Sequence, residues 1–351
     1  MAVSATVAVA GAGLTGLSAA WELSRAGATV VVLDAGRRPG GVVVTERPGA
    51  KEGFVIEGGP DGFLAAEPDI QELAREIGIG GRLVDQFASG SSLWTGQRLE
   101  PLAEGQAAAL LGIQVPPGVG AQHAAPVQCG FRSFATGMAD FVEAIVARVG
   151  PAIRPAQGVT GLAPATRGWR LSLSGGSTLE AEAVILALPA WIAARLVTAA
   201  GVPAARHLDE VIYYPTTTVS LAYREDQLAT PLAGTGFVSA PELAEGGAAL
   251  RACSYSWLKY PGRAPPGHAL LRAFVGPVDG DPAVAAHAEL VASSGSAGAR
   301  CGVVRSPGRG ACRATSRGTP GTWPRCAGAW PGCRRWRSRA PGSMGRECRR
   351  A

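Results

Sequence analysis

Gly11, Gly13 and Gly16 stand at the spacing G-x-G-x-x-G, and Asp34 follows eighteen residues after the last of them. These residue types at this spacing can hold a dinucleotide. The first glycine allows a tight turn, the second lets the backbone approach a pyrophosphate, and the third lets a helix pack closely on a strand. Ala12, Leu14 and Thr15 fill the loop between them. Phosphates then meet the helix N-terminus, where free amide N–H groups and the positive dipole end point at them. Asp34 can accept from the adenosine ribose hydroxyls. The spacing leaves a nicotinamide and a flavin dinucleotide both open, and a chain with 49 glycines produces such patterns by chance. The flanking elements therefore have to carry the argument.

Those elements are in place. Val7 and Val9 alternate as a strand, residues 14–26 read as a helix with Leu17 and Trp21 one turn apart on the core side, and residues 30–33 form a second strand that ends on Asp34. Gly27 stops the helix through a left-handed cap. Phe54, Val55, Ile56 and Glu57 then lead into Gly58, Gly59, Pro60, Asp61, Gly62 and Phe63. So much glycine beside one proline indicates backbone held close to something flat or bulky. Pro68 opens a helix whose Ile70, Leu73, Ala74 and Ile77 share a face, and Gly78 ends it. Residues 93–99 read as a short hairpin, while residues 103–129 show no clear periodicity. A helix over 139–149 buries Phe141, Val142, Ile145, Val146 and Val149. Residues 169–173 alternate into a turn at Gly175 and Gly176. The all-apolar run 183–186 reads as a return strand buried on both faces of a mixed sheet. Residues 214–223 and 270–275 add strands of a second sheet.

Length and composition set the bounds. A chain of 351 residues can bury a full core and ordinarily makes two domains, and a hydrophobic fraction of 47% excludes global disorder. No signal peptide precedes the first strand, and the apolar run 183–200 is broken by Pro189 and Arg195, so a cytoplasmic protein is expected, with rest on a membrane surface left open. The net charge of +6 conceals a split. Residues 291–351 hold 13 arginines and one acid, Glu347, whereas the remaining 290 residues hold 20 basic and 26 acidic groups. Cys301, Cys312, Cys326, Cys333 and Cys348 also lie in the basic segment without any C-x-x-C pair, which argues against zinc and against a disulfide scaffold.

The continuation Asp34-Ala35-Gly36-Arg37-Arg38-Pro39-Gly40-Gly41 resembles the acid-Ala-x-x-Arg-x-Gly-Gly signature of FAD-dependent amine oxidases, phytoene desaturases and protoporphyrinogen oxidases. Further matching text lies at Thr45-Glu46-Arg47 and at residues 54–64, 134–150, 183–189 and 255–275, the last with Lys259-Tyr260-Pro261-Gly262-Arg263-Ala264-Pro265. Over about residues 5–290 the chain is similar to the FAD-type protoporphyrinogen oxidase family, the porphyrinogen-oxidising branch of the amine oxidase superfamily. The resemblance implies an α/β fold, with a Rossmann-like FAD-binding domain and a second α+β substrate domain; the composition of the C-terminal segment leads to the expectation that it is disordered. In domain terms the resemblance implies FAD binding by residues 1–90 and, on the return, 131–200; a variable insertion or substrate region at 91–130; and a substrate domain at 201–290, while residues 291–351 read from their composition as an aberrant Arg-rich tail.

Carried over by position, Gly11, Ala12, Gly13, Leu14, Thr15 and Gly16 would hold the pyrophosphate, Asp34 and Ala35 the ribose, and Arg38, Gly40, Gly41 and Val42 the link toward the flavin. Gly59, Pro60, Asp61 and Gly62 would lie near the isoalloxazine, and Val159 would face the adenine. Asp34 replaces the more usual Glu, Thr136-Gly137 replaces a Gly-Gly pair, and Ser91-Ser92 stands where the family often has a basic residue. The implied partners are a porphyrinogen and O₂, with no nucleic acid; peripheral membrane contact and a homodimer stay open. The chemistry the resemblance implies is hydride transfer from a porphyrinogen methylene to the flavin, so no catalytic side chain is assigned. Arg98 is a candidate for a substrate carboxylate, although a solvated hairpin arginine is the plainer reading. His123, His207, His268 and His287 read as surface or loop residues.

The segment after Leu290 contains no Leu, Ile, Phe or Tyr, and its Arg, Gly, Ala, Pro, Ser, Cys and Trp are what a GC-rich gene yields out of frame. Read from the third base of each codon, Gly321-Thr322-Trp323-Pro324 becomes compatible with the family's Gly-His-Leu-Ala. In the same frame residues 343–349 become compatible with its Gly-x-Gly-(Ile, Val or Met)-Pro turn. A frameshift near residue 290 is the expectation, with weak flavin retention and little oxidase activity as its consequence.

Overall fold

The computed structural model describes residues 6–48, 53–66, 68–103, 105–110, 130–202, 205–211, 213, 215–228, 231–294 and 302–306. Strand Thr6–Ala10 lies inside a parallel sheet, between Thr29–Leu33 on one side and Ala183–Leu186 on the other, with Ile153–Arg154 beyond Thr29–Leu33. Val7, Ala8, Val9 and Ala10 are all buried, as a run of small and β-branched residues covered on both faces should be. Helix Leu14–Arg25 crosses from the first strand to the second, and Gly27 follows with φ of +82°, the left-handed stop its sequence anticipates.

The return strand differs from its sequence reading. All four described strands of this sheet are parallel rather than mixed, and Ala183–Leu186 forms its edge, with Ala183 exposed and the other three half-buried. Its apolar composition still has a cause. Val184 and Leu186 pack toward Leu162, Leu171, Leu173 and Leu196, while Ile185 packs on the opposite side, toward Val9 and Val32. The first of these clusters lies under a three-stranded antiparallel sheet, Val159–Pro164, Trp169–Leu173 and Thr178–Ala181. Helix Ala139–Val149 buries Phe141, Val142, Ile145 and Val149 against Leu17 and Ala20, and each of its large side chains contributes about 1.5–3 kcal/mol by leaving water. Helix Pro68–Glu76 adds Ala74, with Ile70 and Leu73 packed beside it.

A seven-stranded sheet forms the second layer, in the order Gly302–Ser306, Thr217–Arg224, His268–Val275, Leu250–Tyr255, Gly236–Ser239, Ser91–Trp94 and Leu99–Leu102. The hairpin read at 93–99 is its Ser91–Trp94 and Leu99–Leu102 pair, turning at Gly96 with φ of +92°. Strand alternation gives this sheet two different faces. Val219, Leu221, Tyr223, Leu271, Ala273 and Val275 point into a core closed by helix Pro282–Ser294. Thr218, Ser220, Arg272 and Phe274 point the other way, and Thr218 donates its hydroxyl to the Gly58 carbonyl across to the first domain.

The boundary expected near residue 290 needs correction. Helix Pro282–Ser294 runs through it, because Ala283, Ala286 and Leu290 share its core-facing side, and Gly302–Ser306 pairs antiparallel with Thr217–Arg224. The expected disorder of the remaining tail, the tail cysteines and His123 lie outside the described residues.

Candidate flavin site

The three glycines of the first turn do different work. At Gly11, with φ of +107°, a Cβ would sit 2.2 Å from the Ala187 carbonyl oxygen, and at Gly16 it would sit 1.8 Å from that of Gly11. Both are required by the protein's own packing. Gly13 is not: its backbone is extended, at φ −70° and ψ 177°, and a Cβ there would meet nothing within 4 Å. Its bareness faces outward, at the start of Leu14–Arg25, a helix with no side-chain cap and no acid in its first turn. Uncapped N–H groups behind an unfilled approach suit a phosphate group. The residues present therefore fit a dinucleotide.

Asp34 closes the turn from the second strand. Its Oδ2 accepts from the Ala12 amide and its Oδ1 from the Gly36 amide, each at 2.6 Å. A carboxylate has about four acceptor positions, so room remains for ribose hydroxyls. Beside it, Gly158 lets the chain pass Ala35 closely, for a Cβ at 158 would come within 2.8 Å of the Ala35 Cβ; Val159 thus follows directly on the contact with Ala35. Gly40 donates to the Ala12 carbonyl at 2.7 Å and bridges Gly13 in parallel, and a Cβ on Gly41 would lie 3.1 Å from the Gly13 Cα. Arg38 points back into its own loop, donating to the carbonyls of Pro39, Gly41 and Val43 at 3.0–3.1 Å. Val42 projects, 52% exposed. A Cβ on Gly59 would sit 1.8 Å from the Val42 carbonyl oxygen, so the third glycine loop lies directly against the second. The structure thus brings the three predicted loops together, with Arg38 bracing the second of them from within.

Behind residues 58–62 runs a seam of buried charge that spacing did not reveal. Lys259 donates to both oxygens of Asp61, at 3.0 and 3.2 Å, and the Arg272 guanidinium donates to the Gly59 carbonyl. Arg263 pairs with Glu57 at 3.2 Å and donates to Ser133, whose own hydroxyl bonds the Asp61 carbonyl at 2.7 Å. Glu57 also accepts from Thr45 and from the Met138 amide, at 2.7 and 2.8 Å. Thr45 lies so close to Gly137 that a Cβ there would come within 2.3 Å of its methyl, which explains why Gly is kept beside Thr136. Burial alone pushes the Asp61 carboxyl upward, but Lys259 and then Arg272 hold it down to about 2. Glu57 goes the other way: burial raises it and outweighs Arg263. Arg272 is lowered by burial, with Asp61 and Glu57 opposing. Among the described residues two carboxylates, Asp61 and Glu57, face three cations, Lys259, Arg263 and Arg272, so cations outnumber acids in the seam by one. In the sequence Lys259 and Arg263 stood out only as members of a block matched by resemblance.

Other candidates fall away from this centre. Arg98 is 77% exposed and paired with Glu100 at 2.7 Å, as a solvated hairpin arginine would be. His207 is exposed, and His268 sits edge-on to Phe54. His287 corrects its sequence reading: it lies on helix Pro282–Ser294, bonded to the Tyr223 hydroxyl at 2.8 Å and stacked on its ring, because the helix turns that face to the sheet.

Comparison with known proteins bears on this arrangement. Residues 80–292 match the family of flavin-containing amine oxidoreductases, and residues 9–77 match an NAD(P)-binding Rossmann-like domain. The chain belongs to the flavin-containing amine oxidoreductase family, and membership implies FAD as its cofactor. A coproporphyrinogen III oxidase of Propionibacterium freudenreichii is 41% identical over 76 residues, 22% of this chain but only 14% of that protein. One from Bacillus subtilis is 23% identical, with 77% of each chain covered. Among solved structures, a protein from Exiguobacterium sp. 255-15, provisionally named protoporphyrinogen oxidase, superposes with a TM-score of 0.68 at 22% identity, covering 87% of this chain and 86% of its own. Cyclohexylamine oxidase of Brevibacterium oxydans gives 0.66 at 14% identity, over 86% and 84%. At such identities the structural likenesses speak for the fold. No helix among the described residues is long and apolar enough to cross a membrane.

Proposed function

We propose that this chain carries the body of an FAD-dependent porphyrinogen oxidase, acting in the cytoplasm and using O₂ as the terminal acceptor. The observation that carries the reading is the convergence of three glycine loops, at Gly13, Gly41 and Gly59, in front of a cationic seam. Bound FAD supplies a hydride acceptor. The residues do the rest. Gly13 and the helix N-terminus bind the pyrophosphate; Asp34, Ala35 and Val159 take the adenosine; residues 40–42 and 59–62 form the bed for the ring. Asp61, held ionised by Lys259, fixes the loop, and Arg272, bonded to the Gly59 carbonyl, adds positive charge that would favour a reduced flavin held by this loop. The resemblance in residues 255–275 and the names of the bacterial relatives favour a porphyrinogen over an amine or a carotenoid. Anaerobic addition of each substrate class to the flavin-loaded protein tests this. Bleaching by coproporphyrinogen or protoporphyrinogen, reversed by air with release of peroxide, is expected; bleaching by an amine alone would refute it.

The basic tail belongs to the same proposal. We infer that a frameshift lies between Ser294, the end of a core-packed helix, and Gly321, where the third-base frame first spells a family motif. Flavin retention and oxidase activity are then expected to be low in this chain and restored by the alternative frame. The nucleotide sequence decides it: stop codons in that frame before residue 343 would end the idea.

A further inference from the structure

The loop at residues 58–62 lies by sequence with the glycine turns, yet the groups that hold it come largely from the seven-stranded sheet. Thr218 donates to the Gly58 carbonyl at 3.2 Å, the Arg272 guanidinium donates to that of Gly59, and Lys259 binds both oxygens of Asp61. Thr218 and Arg272 stand on strands of that sheet, and Lys259 follows shortly after another, Leu250–Tyr255. The fourth hold is indirect. The Asp61 carbonyl accepts from Ser133, fully buried on strand Phe131–Phe134, and Ser133 in turn meets Arg263 Nη2 at 2.6 Å. Arg263 lies in the connection between Leu250–Tyr255 and His268–Val275, so this contact too leads back to the seven-stranded sheet.

The chemistry of that contact leaves one arrangement of protons. A guanidinium donates and never accepts, so the Ser133 oxygen is the acceptor toward Arg263. Its single hydroxyl proton then goes to the Asp61 carbonyl, which can only accept. Arg263 thus gives the serine its direction. It is itself placed with little freedom: it is 2% exposed, paired with Glu57 at 3.2 Å, donating to the Phe134 carbonyl at 3.3 Å, and held over the Tyr260 ring. Tyr260 meets the loop one residue further on, because a Cβ at Gly62 would come within 2.2 Å of its hydroxyl. Stability alone does not ask for an arginine here, since apolar residues of like volume often match a buried ion pair. Its planar fork, which reaches Glu57, Ser133 and Phe134 at once, supplies direction instead.

We propose that Arg263 is a positioning residue for the flavin ring. Acting through Ser133, it fixes where the Asp61 carbonyl and the backbone of residues 59–62 stand, so that the surroundings of the ring are set from the seven-stranded sheet. The inference rests on the reading that residues 59–62 bed the ring. Position and charge can be separated, because lysine keeps a cation beside Glu57 but lacks the planar fork that serves three acceptors.

The full chain saturated with FAD is compared with its Ser133→Ala, Ser133→Thr and Arg263→Lys variants by visible flavin spectrum, two-electron midpoint potential, FAD titration and melting. Ser133→Ala and Arg263→Lys should displace the visible bands and the potential in the same direction, since each releases the Asp61 carbonyl. Affinity for FAD should change by less than about tenfold, because the glycine turn is untouched. Ser133→Thr keeps the hydroxyl and should stay with the parent in both readouts. An Arg263→Lys protein with the parent's spectrum and potential would show that charge suffices, and would overturn the assignment. So would a Ser133→Ala protein that melts lower with both readouts unmoved, since the serine would then serve the fold alone. Where Ser133→Ala fails to fold, Arg263→Lys still decides. If titration with the parent moves no flavin band, the reading of the ring bed falls together with this inference; if it does and every variant matches the parent, only the role of Arg263 falls.

Discussion

The glycine turn at 11–16 and the charged seam behind residues 58–62 are adjacent parts of one site built on opposite plans. The turn is all backbone: its work is done by amides and by absent side chains, and its parts lie within six positions of one another. The seam is built from charged side chains, and its partners Asp61 and Lys259 are 198 positions apart. A backbone site tolerates no added atoms but needs no partner. A side-chain site tolerates small changes in shape, but each charge depends on another.

That contrast can be broken or sharpened by substitution. The largest effect is expected within the turn itself. Gly16→Val sets new atoms against the Gly11 carbonyl, backbone on backbone, and should cost more than about 4 kcal/mol, read as loss of a cooperative melt. Gly13→Val, three residues away, should melt like the parent yet bind FAD at least ~100-fold more weakly, by equilibrium titration of the apoprotein, because open space lies ahead of it. Equal melting of the two variants would erase the distinction between packing glycines and ligand glycines.

In the seam, Asp61→Asn leaves Lys259 and Arg272 without the carboxylate that acts on both and should lower stability by about 3 kcal/mol in denaturant titration. Adding Lys259→Met should recover part of it; additive losses would show that the pair is not coupled. A smaller effect is expected with acid. Asp61 is depressed to about 2, so its stabilisation, about 2 kcal/mol, is complete above the ordinary carboxylate range near pH 4 and is lost as pH falls toward 2. Glu57 has the opposite sign: raised by burial, it opposes folding when ionised and is relieved as pH falls through its folded value. The difference between parent and Asp61→Asn stabilities should therefore shrink between pH 4 and pH 2, and a constant difference would show that Asp61 is not held ionised.

The same contrast explains what was legible in advance. The turn, helix Leu14–Arg25, the stop at Gly27, helix Ala139–Val149 and the hairpin at Gly96 all follow from local spacing and were readable from it. The return strand was misread because an apolar run reports contact on two sides but not whether a neighbouring strand closes its edge. Asp61 was noticed for its loop, yet Lys259 and Arg272 could not be joined to it, since nothing in sequence links a carboxylate to cations some two hundred residues on. His287 was misplaced for a related reason: a weakly amphipathic, alanine-rich helix gives little sign of which side meets a sheet.

The separation of Asp61 from Lys259 also sets an order of events during synthesis. At ~5–20 residues per second, roughly 10–40 s pass between the emergence of the carboxylate and that of the ammonium group that neutralises it. Strand Ala183–Leu186 arrives within that interval, so the parallel sheet around Thr6–Ala10 can close first. Throughout it, the loop at residues 58–62, proposed above as the bed of the flavin ring, waits beside that sheet with its acid still in water. The nascent chain thus completes its glycine turn well before this loop finds its partners.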